Sequence, residues 1–183
     1  MSTLRIVSLF SLFAALSAGW ADSPSFPKPG QVDNPGMIRF IKPDPGALPG
    51  IVVDDTGAKL VGRWKHSVHT PPFVGVSYIH DMKEAKGEKS ATFVPDLPRT
   101  GRYEVRMSHN SNVRRANSVP VTIRHADGES IVTVNEGKLF RSLGTFRFKK
   151  GKSGSVIIGT AGTEGKYVIV DAIQFLPVEG GKK

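Results

Sequence analysis

Apolar and polar residues alternate along most of this chain. In the stretch Ser90 to Arg106, Ala91 and Phe93 fall on alternate positions, and so do Tyr103 and Val105. A period of two places each pair on one face of a strand. Pro95, Asp96, Pro98 and Gly101 separate the two runs with turn-forming chemistry. Arg102, Glu104 and Arg106 take the other face of the second run, so its sheet packs one face and wets the other. Comparable runs begin at Ile51, Val61, Val76, Pro120, Ile131, Ser142, Val156 and Tyr167. None sustains an apolar period of about 3.6 residues with helix caps. Ala126-Asp127-Gly128-Glu129 suits a hairpin. About ten short strands with frequent turn signals predict an all-β domain, either a sandwich or a barrel.

The flanks differ in texture. Arg5 precedes an apolar run from Ile6 to Ala18, followed by Gly19 and Ala21. That order predicts a secretory signal over residues 1–21 and an exported protein, in the periplasm, on the cell surface or outside the cell. An anchor would need about 20 consecutive apolar residues. Residues 22–50 carry seven of the 13 prolines and four glycines, which predicts a mostly extended linker. Within it, Met37 to Ile41 could form an edge strand or a docking strip. Residues 51–177 make one domain, and 178–183 a polar tail. The absence of cysteine excludes disulfides and thiol-linked lipid.

Charge is concentrated. Residues 99–152 hold 12 Lys and Arg against Glu104, Asp127, Glu129 and Glu136, or 12 − 4 = +8. The whole chain carries +9, and Arg5 would leave with the leader, so this zone accounts for the remaining excess. Alternation puts Arg102, Arg106, Arg124, Arg147 and Lys149 on wet faces. Such a face attracts polyanions, which outside a cell means acidic polysaccharide or envelope rather than nucleic acid. It also serves a bland purpose, because charges deter edge pairing between exposed strands.

Catalytic patterns are sparse. No G-x-S-x-G or G-x-G-x-x-G occurs, and Gly151-Lys152-Ser153 lacks the partner glycine of a phosphate loop because position 146 is Phe146. His66, His69 and His80 with Asp81 would have to converge across loops to hold a metal. Asp54 and Asp55 close the first strand, and Asp171 sits in an apolar last strand. Were those strands neighbours, the three acids would offer oxygen ligands for calcium; Asp171 would be equally served by hydrogen-bond donors. Around Pro71-Pro72, Trp64 and Tyr78 read as core, while Phe73 is the candidate platform for a sugar ring.

Several motifs follow one another in order. They are Ile51-Val52-Val53-Asp54-Asp55-Thr56, Gly62-x-Trp64, Gly87 to Pro98, Gly101 to Arg106, and Val119 to Ile123. His125-Ala126-Asp127-Gly128, Val134-Asn135, Ser142 to Phe146, and Tyr167 to Phe175 complete the series. Together they resemble the golvesin C-terminal-like domain, also called the xanthan lyase carbohydrate-binding-like domain. The resemblance implies a jelly-roll-like antiparallel β-sandwich that attaches non-catalytically to carbohydrate, usually behind a secreted enzyme. Here a leader and linker precede it, and the loop after Asn135 reads as short. Asn110 to Asn117 matches the family's Asn/Arg-rich loop, which points to Arg114, Arg115 and Asn117 as donors to sugar hydroxyls or uronates. Two rival readings stand beside this one. The first is a small polysaccharide lyase using His, Tyr and Arg at a uronate; the second is an assembly protein docking a partner through its linker.

Overall fold

A computed structural model describes residues 42–138 and 141–178. The expected leader, residues 22–41 of the linker and residues 179–183 of the tail lie outside that range. The described chain is built from twelve short strands and two single-turn 3-10 helices. The strands are β1 (Ile51–Asp54), β2 (Lys59–Val61), β3 (Lys65–Ser67), β4 (Tyr78–His80), β5 (Ser90–Phe93) and β6 (Gly101–Ser108). They continue with β7 (Val119–His125), β8 (Gly128–Val134), β9 (Arg141–Phe148), β10 (Ser155–Gly159), β11 (Ile169–Val170) and β12 (Ala172–Pro177).

Two antiparallel sheets form the sandwich, one ordered β1-β12-β6-β9 and the other β2-β5-β10-β7-β8. A small sheet, β11-β4-β3, adds to them. Alternation is the cause of the packing. Tyr103, Val105 and Met107 of β6 and Ile173 and Phe175 of β12 turn inward. There they meet Phe93, Val121, Ile123, Val156 and Ile158 of the other sheet in one continuous core. Three aromatic rings meet edge-on within it: Phe148 lies 6.1 Å from Tyr103 and 5.5 Å from Phe175, centroid to centroid.

The two segments that announce the fold, now β5 and β6, belong to opposite sheets, and the proline-rich turn carries the chain from one to the other. The expected β7–β8 hairpin forms, with Ala126 and Asp127 as its two-residue loop and Gly128 already paired with His125. Two expected strands differ. Val61 to Lys65 divides into β2 and β3, because Gly62 takes φ +77° and swings the chain off the five-stranded sheet. Tyr167 to Phe175 divides at Asp171, so β11 joins the small sheet and β12 the four-stranded one. Residues 42–50 of the expected linker are ordered against the domain. Pro43 accepts the Gly75 N–H at 2.9 Å, and Pro49 accepts the Gln174 side-chain amide at 2.8 Å.

Candidate functional site

Strand β6 runs along the sandwich and separates two loop clusters of different chemistry. Beyond Ser108 lies a cluster centred on Tyr167. Its foundation is Asp81, fully buried, whose Oδ1 accepts the N–H groups of Lys83 (3.0 Å) and Val168 (3.1 Å). The Lys86 ammonium pairs with Asp81 and also donates to Thr163 Oγ1 (3.0 Å) and the Lys166 carbonyl (2.7 Å). The buried Lys89 ammonium donates to the Asp81 carbonyl at 2.7 Å. These bonds pin the 81–89 loop in a conformation that side chains resist. Met82, Lys83 and Ala85 have φ of 60°, 63° and 48°. Non-glycine residues in this left-handed region concentrate at functional sites.

The strained loop aims one group. Lys83 holds its ammonium over the ring of Tyr167, 4.6 Å from the centroid. His80 meets the same ring edge-on at 5.2 Å, and the Arg115 guanidinium lies 5.8 Å away. Tyr167 is half-buried and rests on a separate small core of Phe73, Tyr78 and Ile169. One aromatic ring with a firm floor and three basic neighbours is thus presented at the end of the sandwich.

The Asn/Arg-rich loop adjoins it. Arg115 is 9% exposed and spends its guanidinium on Asn110 Oδ1, at 2.7 and 3.2 Å. These two bonds let Arg115 order the loop from beneath. Arg114 and Asn117 are exposed. Below the loop, His109, Asn110 and Glu136 are buried, and both ring nitrogens of His109, Asn110 Nδ2 and Glu136 Oε1 lack partners among the described residues. Burial lowers the His109 pKa to about 4 and raises that of Glu136 well above its ordinary value, although Glu136 accepts the Ile169 N–H at 2.8 Å. Burial likewise lowers the His80 pKa, so its imidazole is neutral near pH 7.

Phe73 is 1% exposed, which corrects its expected role as a platform. The apolar floor beneath Tyr167 needs it more than a sugar does. Tyr78 is buried and Trp64 packs against the main core, both as read from sequence. Sequence reasoning missed Tyr167 itself. The available signal was an aromatic directly after the Gly165-Lys166 turn, at the mouth of an apolar run.

The opposite end of β6 is basic. The 97–101 loop is laced to the 149–152 turn by reciprocal bonds between Leu97 and Gly151 and by the Lys150 N–H to Thr100 Oγ1 at 3.0 Å. This gathers Arg99, Arg102, Lys149, Lys150 and Lys152, all exposed and without an ion-pair partner among the described residues. Arginines along the sheets are instead neutralised: Arg106 by Glu104 at 2.7 Å, Arg124 by Glu129 at 3.0 Å, and Arg147 by Asp127. Arg106 also walls a cleft of about 310 Å³ with Leu48, Val52, Val74, Ser108 and Gln174.

First and last strands are neighbours, and β1 pairs with β12 through Asp54 and Ala172. Asp54, Asp55 and Asp171 are brought near one another as expected, but not as a coordination shell. Asp171 accepts the Val74 N–H at 3.1 Å on both oxygens and the Ser108 hydroxyl. His66 lies 3.7 Å from Asp55. Among the described residues no three carboxylates or imidazoles converge on a cation position, which also leaves His66, His69 and His80 apart. Burial, followed by weaker effects of neighbouring acids, pushes Asp171 up to about 8. Burial and then the Asp54 charge push Asp55 up to about 7, and burial raises Asp54 too. Asp55 and Asp171 thus lie far above the usual carboxylate range.

Comparison with known proteins places this architecture. The model of the Golvesin C-terminal domain matches residues 51–177. A xanthan lyase of Bacillus sp. (strain GL1) is 36% identical over 145 residues, which are 74% of this chain and 16% of that protein. The Paenibacillus xanthan lyase structure superposes with a TM-score of 0.67 at 35% identity, over 69% of this chain and 13% of that one. The chain thus spans about a sixth of the length of the curated relative it matches. A family 35 carbohydrate-binding module from Clostridium thermocellum shares the fold, with a TM-score of 0.51 at 10% identity over 70% of this chain and 98% of that one.

Proposed function

The chain belongs to the Golvesin C-terminal domain family, and from that membership we propose that it is an exported, non-catalytic module that attaches to carbohydrate. The proposed ligand class is acidic polysaccharide. The observation that carries the reading is the half-exposed Tyr167 ring, held on a buried aromatic floor with Lys83 poised over its face. A pyranose stacks its apolar C–H face on such a ring, and a uronate carboxylate would take the Lys83 ammonium or the Arg114 guanidinium. The five cations at the far end of β6, without an ion-pair partner among the described residues, would raise the local concentration of a polyanion before it seats. A leader with the features of a secretory signal agrees with this ligand, and no described helix is long and apolar enough to cross a membrane.

A glycan array followed by affinity electrophoresis tests the proposal. Retention by uronate-containing polymers that weakens as salt rises supports it; absence of retention across the array overturns it.

One observation favours a second reading. His80, Tyr167 and Arg115 lie together, and these are the residue types a polysaccharide lyase uses to abstract a proton and neutralise a uronate. Against it, Arg115 is committed to Asn110, and His80 Nδ1 accepts the Met82 N–H at 3.2 Å. A lyase would raise ultraviolet absorbance through unsaturated product on the polymers that bind. The attachment reading expects binding without that rise.

A further inference from the structure

Sheet edges expose unpaired N–H and C=O groups, and proteins protect them with charges, bulges, short strands or covering chain. Three of the four edges of this sandwich carry such protection. The Pro45–Ala47 turn packs against β1. The β9 register with β6 breaks between Val105 and Arg106, where Gly144 takes φ +123°. Strand β2 has only three residues, begins with Lys59 and ends before the left-handed Gly62.

The fourth edge, β8, is long, has no bulge against β7 and has no covering chain among the described residues. Its seven residues keep an unbroken register with β7, from His125 opposite Gly128 to Val119 opposite Val134. Among the described residues no backbone group bonds to its open side. The one charge, Glu129, is taken by Arg124 Nε at 3.0 Å. The remainder, Ser130-Ile131-Val132-Thr133-Val134, is uncharged and rich in β-branched residues, which favour strand pairing. Ile131 is 70% exposed on the outer face.

We propose that β8 is the dimerisation edge of this protein, pairing antiparallel with β8 of a second copy about a two-fold axis at Ile131. The sequence is self-complementary in that register. Ile131 faces Ile131, Glu129 faces Thr133, and Ser130 faces Val132, so no like charges meet. An axis at Glu129 would oppose two carboxylates, which disfavours it. The result is one continuous ten-stranded sheet, with an isologous contact as a two-fold dimer requires.

The arrangement has a consequence that rests on the carbohydrate reading above. Beyond Val134 the chain enters Asn135 and Glu136 under the Tyr167 cluster. A dyad at Ile131 therefore sends the two sites to opposite ends, about 33 Å apart along the strands at ~3.3 Å per residue. One extended polymer engages both, and binding becomes bivalent.

The chain has no cysteine, so Ile131→Cys introduces a single thiol. Residues facing each other across antiparallel strands have Cα atoms about 4.5–5.5 Å apart, within disulfide reach. In residues 22–183 under mild oxidation, Ile131→Cys should form a covalent dimer while Thr92→Cys, three strands away on the same face, stays monomeric. The unmodified chain should sediment at twice its chain mass and return to one chain mass with Ile131→Lys, an exposed change that leaves near-UV circular dichroism intact. Sedimentation of the unmodified chain at one chain mass at every concentration, with no preference for cross-linking at position 131, overturns the proposal. So does a dimer seen only when residues 22–41 are deleted, since that chain would then be covering β8 in the intact protein.

Discussion

Lys83 sits with its ammonium 4.6 Å from the centre of the Tyr167 ring, on a backbone held at φ +63°. The pairing joins a strained loop to the one half-exposed ring of the small aromatic core. Cation–π contacts at exposed positions are worth about 0.5–1 kcal/mol, less than the strain of a left-handed non-glycine residue at roughly 1–2 kcal/mol. The buried Asp81, Lys86 and Lys89 network must therefore hold the loop, leaving the ammonium free to turn to a ligand.

Tyr167→Ala should reduce polysaccharide retention about tenfold, the effect of losing roughly 1.4 kcal/mol of stacking. Tyr167→Phe should keep most of it. Affinity electrophoresis on a uronate-containing polymer checks both, with circular dichroism confirming the fold. Equal loss in the two variants would move the contact from the ring to the hydroxyl.

Charge reversal should sort the arginines by their partners. Arg102 is unpaired among the described residues and stands beside Arg147 in the β6–β9 register, whereas Arg106 is bonded to Glu104. Arg102→Glu with Lys150→Glu should weaken retention several-fold and flatten its salt dependence. Arg106→Gln should change it less than twofold. Retention measured across a salt series distinguishes these outcomes.

Stability should fall as pH rises from about 4 to about 8, the span between the ordinary carboxylate value and the folded values of Asp55 and Asp171. Asp171 and Asp55 have folded pKa values of about 8 and about 7, above their ordinary 3.8. The folded state then binds more protons than the unfolded one, and their contribution, full below pH 3.8, is lost as pH rises through the folded values. His109 acts in reverse: with a folded pKa of about 4 against 6.5, it costs stability only as pH falls below 6.5. Thermal melts should thus decline between about pH 4 and pH 8, and Asp171→Asn should flatten that decline. Because no three carboxylates converge on a cation position among the described residues, calcium and chelator should give the same Tm at pH 7. A calcium-dependent rise in Tm would convert the cluster into a metal site.

Alternation made the sandwich legible because burial on one face requires a period of two, as in Tyr103, Val105 and Met107. The same logic hid the split at Asp171, where an alternating run changes sheets at an aspartate whose carboxylate accepts the Val74 N–H, 97 residues away in sequence. It hid the site as well. Phe73 and Tyr167 are both aromatics beside turns, and only the tertiary stack puts the first underneath and the second at the surface. The excess charge was visible as a zone but not as a pole. Which arginines are neutralised depends on partners such as Asp127 for Arg147, 20 residues apart.

Two glycines of the β9–β10 turn should respond differently to alanine. At Gly154 a Cβ would stand 2.5 Å from Phe148 Cδ1 and 3.0 Å from the Arg124 carbonyl oxygen. Neither neighbour can yield. The Phe148 ring is fully buried and wedged edge-on between Tyr103 and Phe175, and the Arg124 carbonyl belongs to β7. Overpacking of this kind costs about 1–3 kcal/mol. At Gly151 a Cβ would meet nothing within 4 Å, and the penalty is only that of φ +82°, roughly 1 kcal/mol. Urea melts should rank Gly154→Ala as the more damaging, with unchanged slope. Adding Phe148→Leu should recover part of the Gly154→Ala loss and none of the Gly151→Ala loss, because only the first pair competes for the same space.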